Sequence, residues 1–169
     1  MPQVPFDTLP DSSRVWVFAS TRALSDSDAA RLLGEVDRFL ERWHAHGTPL
    51  SSGRDWRDGH FLTIAVDQST AGASGCSIDG LHRALHALES ALETSLLGGG
   101  TLYFRDADGG VQGVSRAAFA GLAREGRVAG DTVVFDTAVD TLGEWRERFE
   151  HPARLGWHSR WLPEAARRP

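Results

Sequence analysis

Lysine is absent from this chain: all 18 of its basic side chains are arginine. A P-loop lysine, a Schiff-base lysine and a Ser–Lys dyad are therefore excluded. Cysteine is nearly absent. The single Cys76 cannot close an internal disulfide, and without a CxxC pair there is no structural zinc signature. A cytoplasmic setting follows as the expectation. No apolar run approaches the roughly 20 residues of a membrane span, so no membrane partner is expected. The opening MPQVPFDTLPDSS lacks both the basic and the apolar region of a secretory signal. The formal net charge of −5 argues against phosphate-backbone binding as the main task, and nucleic acid is not an expected partner.

What is present is an ordinary globular composition, 41% apolar and 24% charged over 169 residues, enough for one domain or two small ones. Residues 1–12 carry Pro2, Pro5 and Pro10 and read as an extended arm. RVWVFAS, Arg14 to Ser20, reads as a strand. Ser25-Asp26-Ser27-Asp28 supplies caps and first-turn acids for a helix. Its apolar stripe is Ala29, Leu32, Leu33, Val36, Phe39, Leu40 and Trp43, and Gly47 and Pro49 stop it. Leu50 to Trp56 is a weaker strand. Arg57-Asp58-Gly59 turns it into the strong strand His60 to Val66. A second helix, from about Ser77 to Leu96, carries Leu81, Leu85, Leu88 and Leu92. Three glycines end it before the strand Thr101 to Arg105.

The order βαββαβ predicts an α+β fold with a split βαβ, ferredoxin-like layer over 13–106. With Leu50 to Trp56 as loop, an ordinary βαβαβ layer is the alternative. A small hairpin, helix and strand unit follows over 107–162. Asp108-Gly109 turns into Val111 to Val114, Ser115 caps a helix with Phe119 and Leu122, and Val133 to Phe135 is a strand. Thr141 to Phe149 is a last helical segment, Trp157 and Trp161 lie in irregular chain, and 163–169 is expected to be disordered.

Candidate chemistry concentrates between Ala65 and Gly80, where a strand, a loop of small residues and a helix start follow one another. Gly72, Ser74, Gly75, Ser77 and Asp79 form a candidate site for a phosphate, a carboxylate or another small ligand, because a helix start offers free N–H groups. The loop has neither Walker spacing nor GxGxxG, so no nucleotide cofactor is assigned. Cys76 supports a second class of function, a thiol hydrolase or transferase. The thiol would be the nucleophile, His60 its base, Asp67 the orienting group and the helix N–H groups the oxyanion site. The same placement also fits a buried staple of Cys76 against Leu81, with Ser77 as the cap. Both remain open from sequence. His82 and His86, at i and i+4, have metal-ligand spacing, with His60, His44 or His46 as conceivable third partners. A solvated helix face is the commoner explanation of such a pair, and no metal is assigned. Six tryptophans allow base stacking, but Trp16 and Trp43 fall in core patterns.

RVWVFAS, WHAHG, DQSTAGASGCSID, DTVVFD and GWHSRW together resemble a family of uncharacterised bacterial proteins often labelled "ABC transporter ATPase". The likeness covers nearly the whole chain and implies a fold-sized match without an activity. The label itself finds no Walker A, Walker B or lysine here. Tyr103 to Trp145 is similar in layout to the bacterial GYF-like module: an aromatic strand, Gly113-Val114-Ser115 opening a short helix, then Gly126-Arg127-Val128 and a late Trp145. Val114 stands where that family usually has proline, and Phe104 takes one of its aromatic positions. The resemblance implies a protein or peptide partner, held by Tyr103 and Phe104.

Overall fold

The computed structural model describes residues 3–69 and 71–167. Pro2 of the expected arm, Thr70 of the glycine loop, and Arg168 and Pro169 of the expected tail lie outside the described residues. Among the described residues the fold is mixed α+β, with four α-helices and nine strands in three antiparallel sheets. The chain forms two compact units. One runs to Leu97 and takes in Thr137–Arg146, and the other comprises Gly98–Asp136 and the residues from Glu147 on.

In the first unit, β1 (Arg14–Ala19) is followed by α1 (Asp26–Glu41), whose cap Ser25 accepts from the Asp28 N–H. The helix ends at Glu41, before Trp43. His46 and Gly47, both with positive φ, then turn a short hairpin of β2 (His44–Ala45) and β3 (Thr48–Pro49). The expected helix thus stops earlier than its apolar pattern, because His44 pairs Pro49 and takes the chain into a ladder. The strands β4 (Ser52–Arg57) and β5 (Phe61–Val66) complete the sheet, in the order β1-β5-β4.

Every residue of β5 is buried, as befits a central strand covered on both faces. Leu62, Ile64 and Val66 meet Leu32, Val36 and Leu40 of α1 and Leu81, Leu85, Leu88 and Leu92 of α2 (Gly75–Leu92). Each such side chain contributes roughly 1.5–3 kcal/mol by leaving water. Asp37 ties α1 to β4 with a bidentate Arg54 contact, both bonds 2.8 Å, and also accepts from Gln3. The Arg54 hydrogen bond holds the Asp37 carboxyl below its usual range.

The sheet order is that of a split βαβ layer without its fourth strand. Thr101–Arg105, expected to complete that layer within 13–106, instead founds the second unit as β6. Its edges are satisfied there by β7 (Val111–Ser115) on one side and β8 (Val133–Phe135) on the other. The arm also departs from its expected extended form. Phe6–Thr8 is a 3-10 turn, Val4 donates to the Ser52 carbonyl, and Phe6 and Leu9 are buried.

The second unit's sheet has the order β7-β6-β8-β9, with β9 at Glu150–Pro152. Ser115 caps α3 (Arg116–Arg124) by accepting from the Ala118 N–H. Phe119, Ala123, Val128, Val134, Ala153 and Leu162 gather with Leu102 and Phe104 into its core. A short helix, α4 (Leu142–Arg148), lies between β8 and β9 in the chain. The expected disordered tail is ordered through Arg167. Glu164–Arg167 forms a 3-10 turn, and Arg167 donates to the carbonyls of Leu162 and Arg160.

Candidate functional site

The loop after β5 is built from its own polar atoms. Asp67 donates its N–H to the Ser51 carbonyl, and its carboxylate accepts from the Ser69 N–H at 2.9 Å. Ala71 and Ala73 lean on the apolar core. Ser74, in extended conformation, is the true cap of α2 and accepts from the Ser77 N–H, while the Ser77 hydroxyl donates back to the Ser74 carbonyl at 2.8 Å. Ile78 N–H also reaches that carbonyl. The helix therefore starts two residues before the expected Ser77. Two cap-forming residues competed, and the one that leaves Ser77 to bond backward won.

That shift decides the fate of Cys76. It occupies the second position of α2 and is exposed, so it is not a staple against Leu81. Gly75 and Cys76 are the first-turn residues whose N–H groups precede any intrahelical acceptor. Gly75 has open space where a side chain would be, and Gly72 has only the Gln68 amide oxygen near. Asp79 sits one turn in, exposed, outside the capping arrangement. No acidic residue stands in the first turn.

His60 and Asp67 do not join Cys76 in a catalytic set. They flank β5, whose residues rise about 3.3 Å each, placing the two at opposite ends of a span of roughly 20 Å. His60 is 5% exposed, and its Nδ1 lies 2.9 Å from the Ser20 carbonyl, to which it must donate. It is a core histidine spent on backbone.

What the sequence did not single out is a pocket beside the first turns of α2. It measures about 320 Å³ and is lined by Phe39, Arg42, Trp43, His44, Ser77 and Gly80. Trp43 fixes its wall by donating Nε1–H to the Ser77 carbonyl at 2.9 Å, with its ring 5.4 Å from Phe39. Arg42 closes α1 and donates Nε–H to the Arg38 carbonyl, while the exposed His44 begins β2. The signal in the sequence was the RWHAH run. Its meaning depended on which helix it met.

His82 and His86 point elsewhere. His82 sets its ring edge-on to Phe18 at 5.7 Å, and His86 Nδ1 lies 2.8 Å from Glu89. Burial alone would raise the Glu89 carboxyl. The N–H groups of Leu97 and Leu96, together with His86, hold it below its ordinary value instead. Glu89 thereby closes the far end of α2. Among the described residues no three His, Cys, Asp or Glu side chains gather as a metal set.

The aromatic pair expected to grip a peptide is inaccessible. Tyr103 is 4% and Phe104 6% exposed. Tyr103 lies across Gly113 of β7, where a Cβ would come within 2.7 Å of its ring, and burial pushes its hydroxyl's pKa up. An open cleft of about 760 Å³ in the second unit is lined by Phe104, Arg105, Gln112, Leu122, Arg127 and Thr132, among others. Phe104 is the one aromatic side chain in its lining. Trp157 and Trp161 pack against the second core, and Trp145 is buried beside Phe6 at 5.0 Å, so these rings hold the fold together.

No helix among the described residues is long and apolar enough to cross a membrane. Comparison with known protein families, with curated proteins and with solved structures finds no match to this chain.

Proposed function

We propose that this chain is a binding protein that takes a small anionic ligand, a phosphate or carboxylate group, where the first turns of α2 face the end of α1. One observation carries the reading: Arg42, His44 and Ser77 line the same pocket, next to the turn that bears the N–H groups of Gly75 and Cys76. The helix dipole and the Arg42 guanidinium favour negative charge there together. Gly72 and Gly75 serve by keeping side chains out of the approach, and Ser74 by capping the helix. His60, buried and engaged with the Ser20 carbonyl, is not placed to serve Cys76 as a base, which favours binding over turnover.

The test uses the lone cysteine. Inorganic phosphate at tens of millimolar should slow alkylation of Cys76 and raise the melting temperature by mass action. Both effects should vanish in Arg42→Ala, which controls for the general stabilisation that such salts bring. Equal responses in the two proteins would overturn the proposal. A rapid phosphate-insensitive Cys76 that turns over acyl or phosphoryl esters would favour the thiol enzyme.

A further inference from the structure

The second unit buries three imidazole nitrogens that make no hydrogen bond of good geometry among the described residues, both of His158 and Nε2 of His151; the Phe135 backbone is the one main-chain group that acts on the His158 ring. His158 is fully buried. It belongs to the 3-10 turn Trp157–Trp161, where its ring stacks on Trp157 at a centroid distance of 3.8 Å. It also faces Phe119 of α3 at 6.3 Å and His151 of β9 at 5.7 Å. Trp157 is anchored in turn by donating Nε1–H to the buried carboxylate of Asp136, 2.9 Å away. There is no slack beside this stack, since a Cβ at Gly156 would collide with His151 Nε2.

A ring so placed is tolerated only while neutral. A charge in a dry interior, met by no more than the Phe135 backbone and a carboxylate already engaged, costs more than the surrounding packing returns. We infer that His158 makes the seating of the Trp157–Trp161 turn acid-sensitive, so that uptake of one proton by its imidazole drives the turn out of the second unit's core. The charged and titratable groups around it do not relieve that cost. His151, facing from β9, opposes a second cation. Asp136, at the end of β8, favours one but already accepts from Trp157. The Arg116 guanidinium from α3 and the Arg160 guanidinium from the turn itself lie over Trp161, at 5.7 and 5.3 Å, adding positive charge on that side. Arg154 is paired with Asp131.

Burial, with His151 adding to it, holds His158 down from 6.5 to about 4, while Asp136 and the Phe135 backbone pull weakly the other way. The folded value thus lies below the unfolded one. Stability from this group is complete above about 6.5 and is lost as pH falls toward about 4, by roughly 300-fold in the folded-to-unfolded ratio of the second unit.

The experiment follows the tryptophan fluorescence of the whole chain, and its quenching by acrylamide, from about pH 7.5 to about pH 4. Rising quenching in the acid arm is expected in the unaltered chain and absent in His158→Phe, a ring of similar size that takes no proton. His151→Gln should leave a shallower response, because the opposing imidazole is gone. Should the Phe variant fail to fold, the His158 ring resonances of the unaltered chain decide. A ring that stays neutral well below 6.5 and loses its packed signals on protonation supports the inference. A ring that titrates near 6.5 without loss of structure, or an unchanged acid response in a folded His158→Phe, overturns it.

Discussion

The two units solve the same problem with opposite chemistry. In the first, the layer between sheet and helices is apolar throughout, from Leu62, Ile64 and Val66 to Leu81, Leu85 and Leu92. Its principal ion pair, Asp37–Arg54, lies at the edge, partly in water. In the second, a fully buried histidine, a buried carboxylate and an indole N–H sit together beside Phe119. An apolar core loses only to cavities or heat. A core with a buried imidazole adds a dependence on protons, since burial of a titratable group couples folding to pH. The proposed ligand pocket belongs to the first unit, whose sheet-to-helix layer is apolar, and the acid-sensitive turn to the second.

Core truncation should be the harshest challenge to this contrast. Phe119→Ala in the second unit should cost about 3–5 kcal/mol and Leu85→Ala in the first about 2–5 kcal/mol. Hydrogen exchange should report each loss in the amides of the unit that houses the residue. Next comes acid. Between about pH 6.5 and 4 the second unit should lose about 3 kcal/mol through His158, while amides of β5 and α2 keep their protection. Equal acid sensitivity in both would erase the difference between them. Asp37→Asn should cost about 1–2 kcal/mol, because it breaks a charge-assisted fork that is still partly solvated. Smallest are the caps: Ser74→Ala and Ser115→Ala should each cost about 1 kcal/mol by urea titration. Only Ser74→Ala should also weaken the phosphate effect on Cys76, since it alone loosens the first turn of α2.

Much of the architecture was legible from local patterns. The stripes Leu32, Val36, Leu40 and Leu81, Leu85, Leu88 occupy the faces their spacing implies, and Ser25 and Ser115 cap where their helices begin. The candidate site was legible in place but not in membership. Small residues before a helix marked the loop, yet Ser74 and Ser77 both qualify as caps, and only the backward bond of Ser77 separates them. Arg42 was invisible as a site residue, because a C-terminal arginine on a helix ordinarily serves that helix alone, and His44 was considered only as a partner of His82 and His86. Tyr103 and Phe104 looked available on a short strand, but a strand with neighbours on both sides has little surface left.

Taken by itself, the sequence determined what depends on a few neighbouring residues: caps, amphipathic faces, hairpin turns, and the chemistry that its missing lysines rule out. These are decided by interactions within one or two turns, whose energies are the same wherever the segment ends up. The tertiary structure alone decided that Thr101–Arg105 would leave the first sheet for a second one, that Arg42 would reach the start of α2, and that His158 would be buried against His151 and Asp136. Each of these depends on strand edges and side chains brought together from distant parts of the chain, and no local pattern encodes which distant surface completes a core.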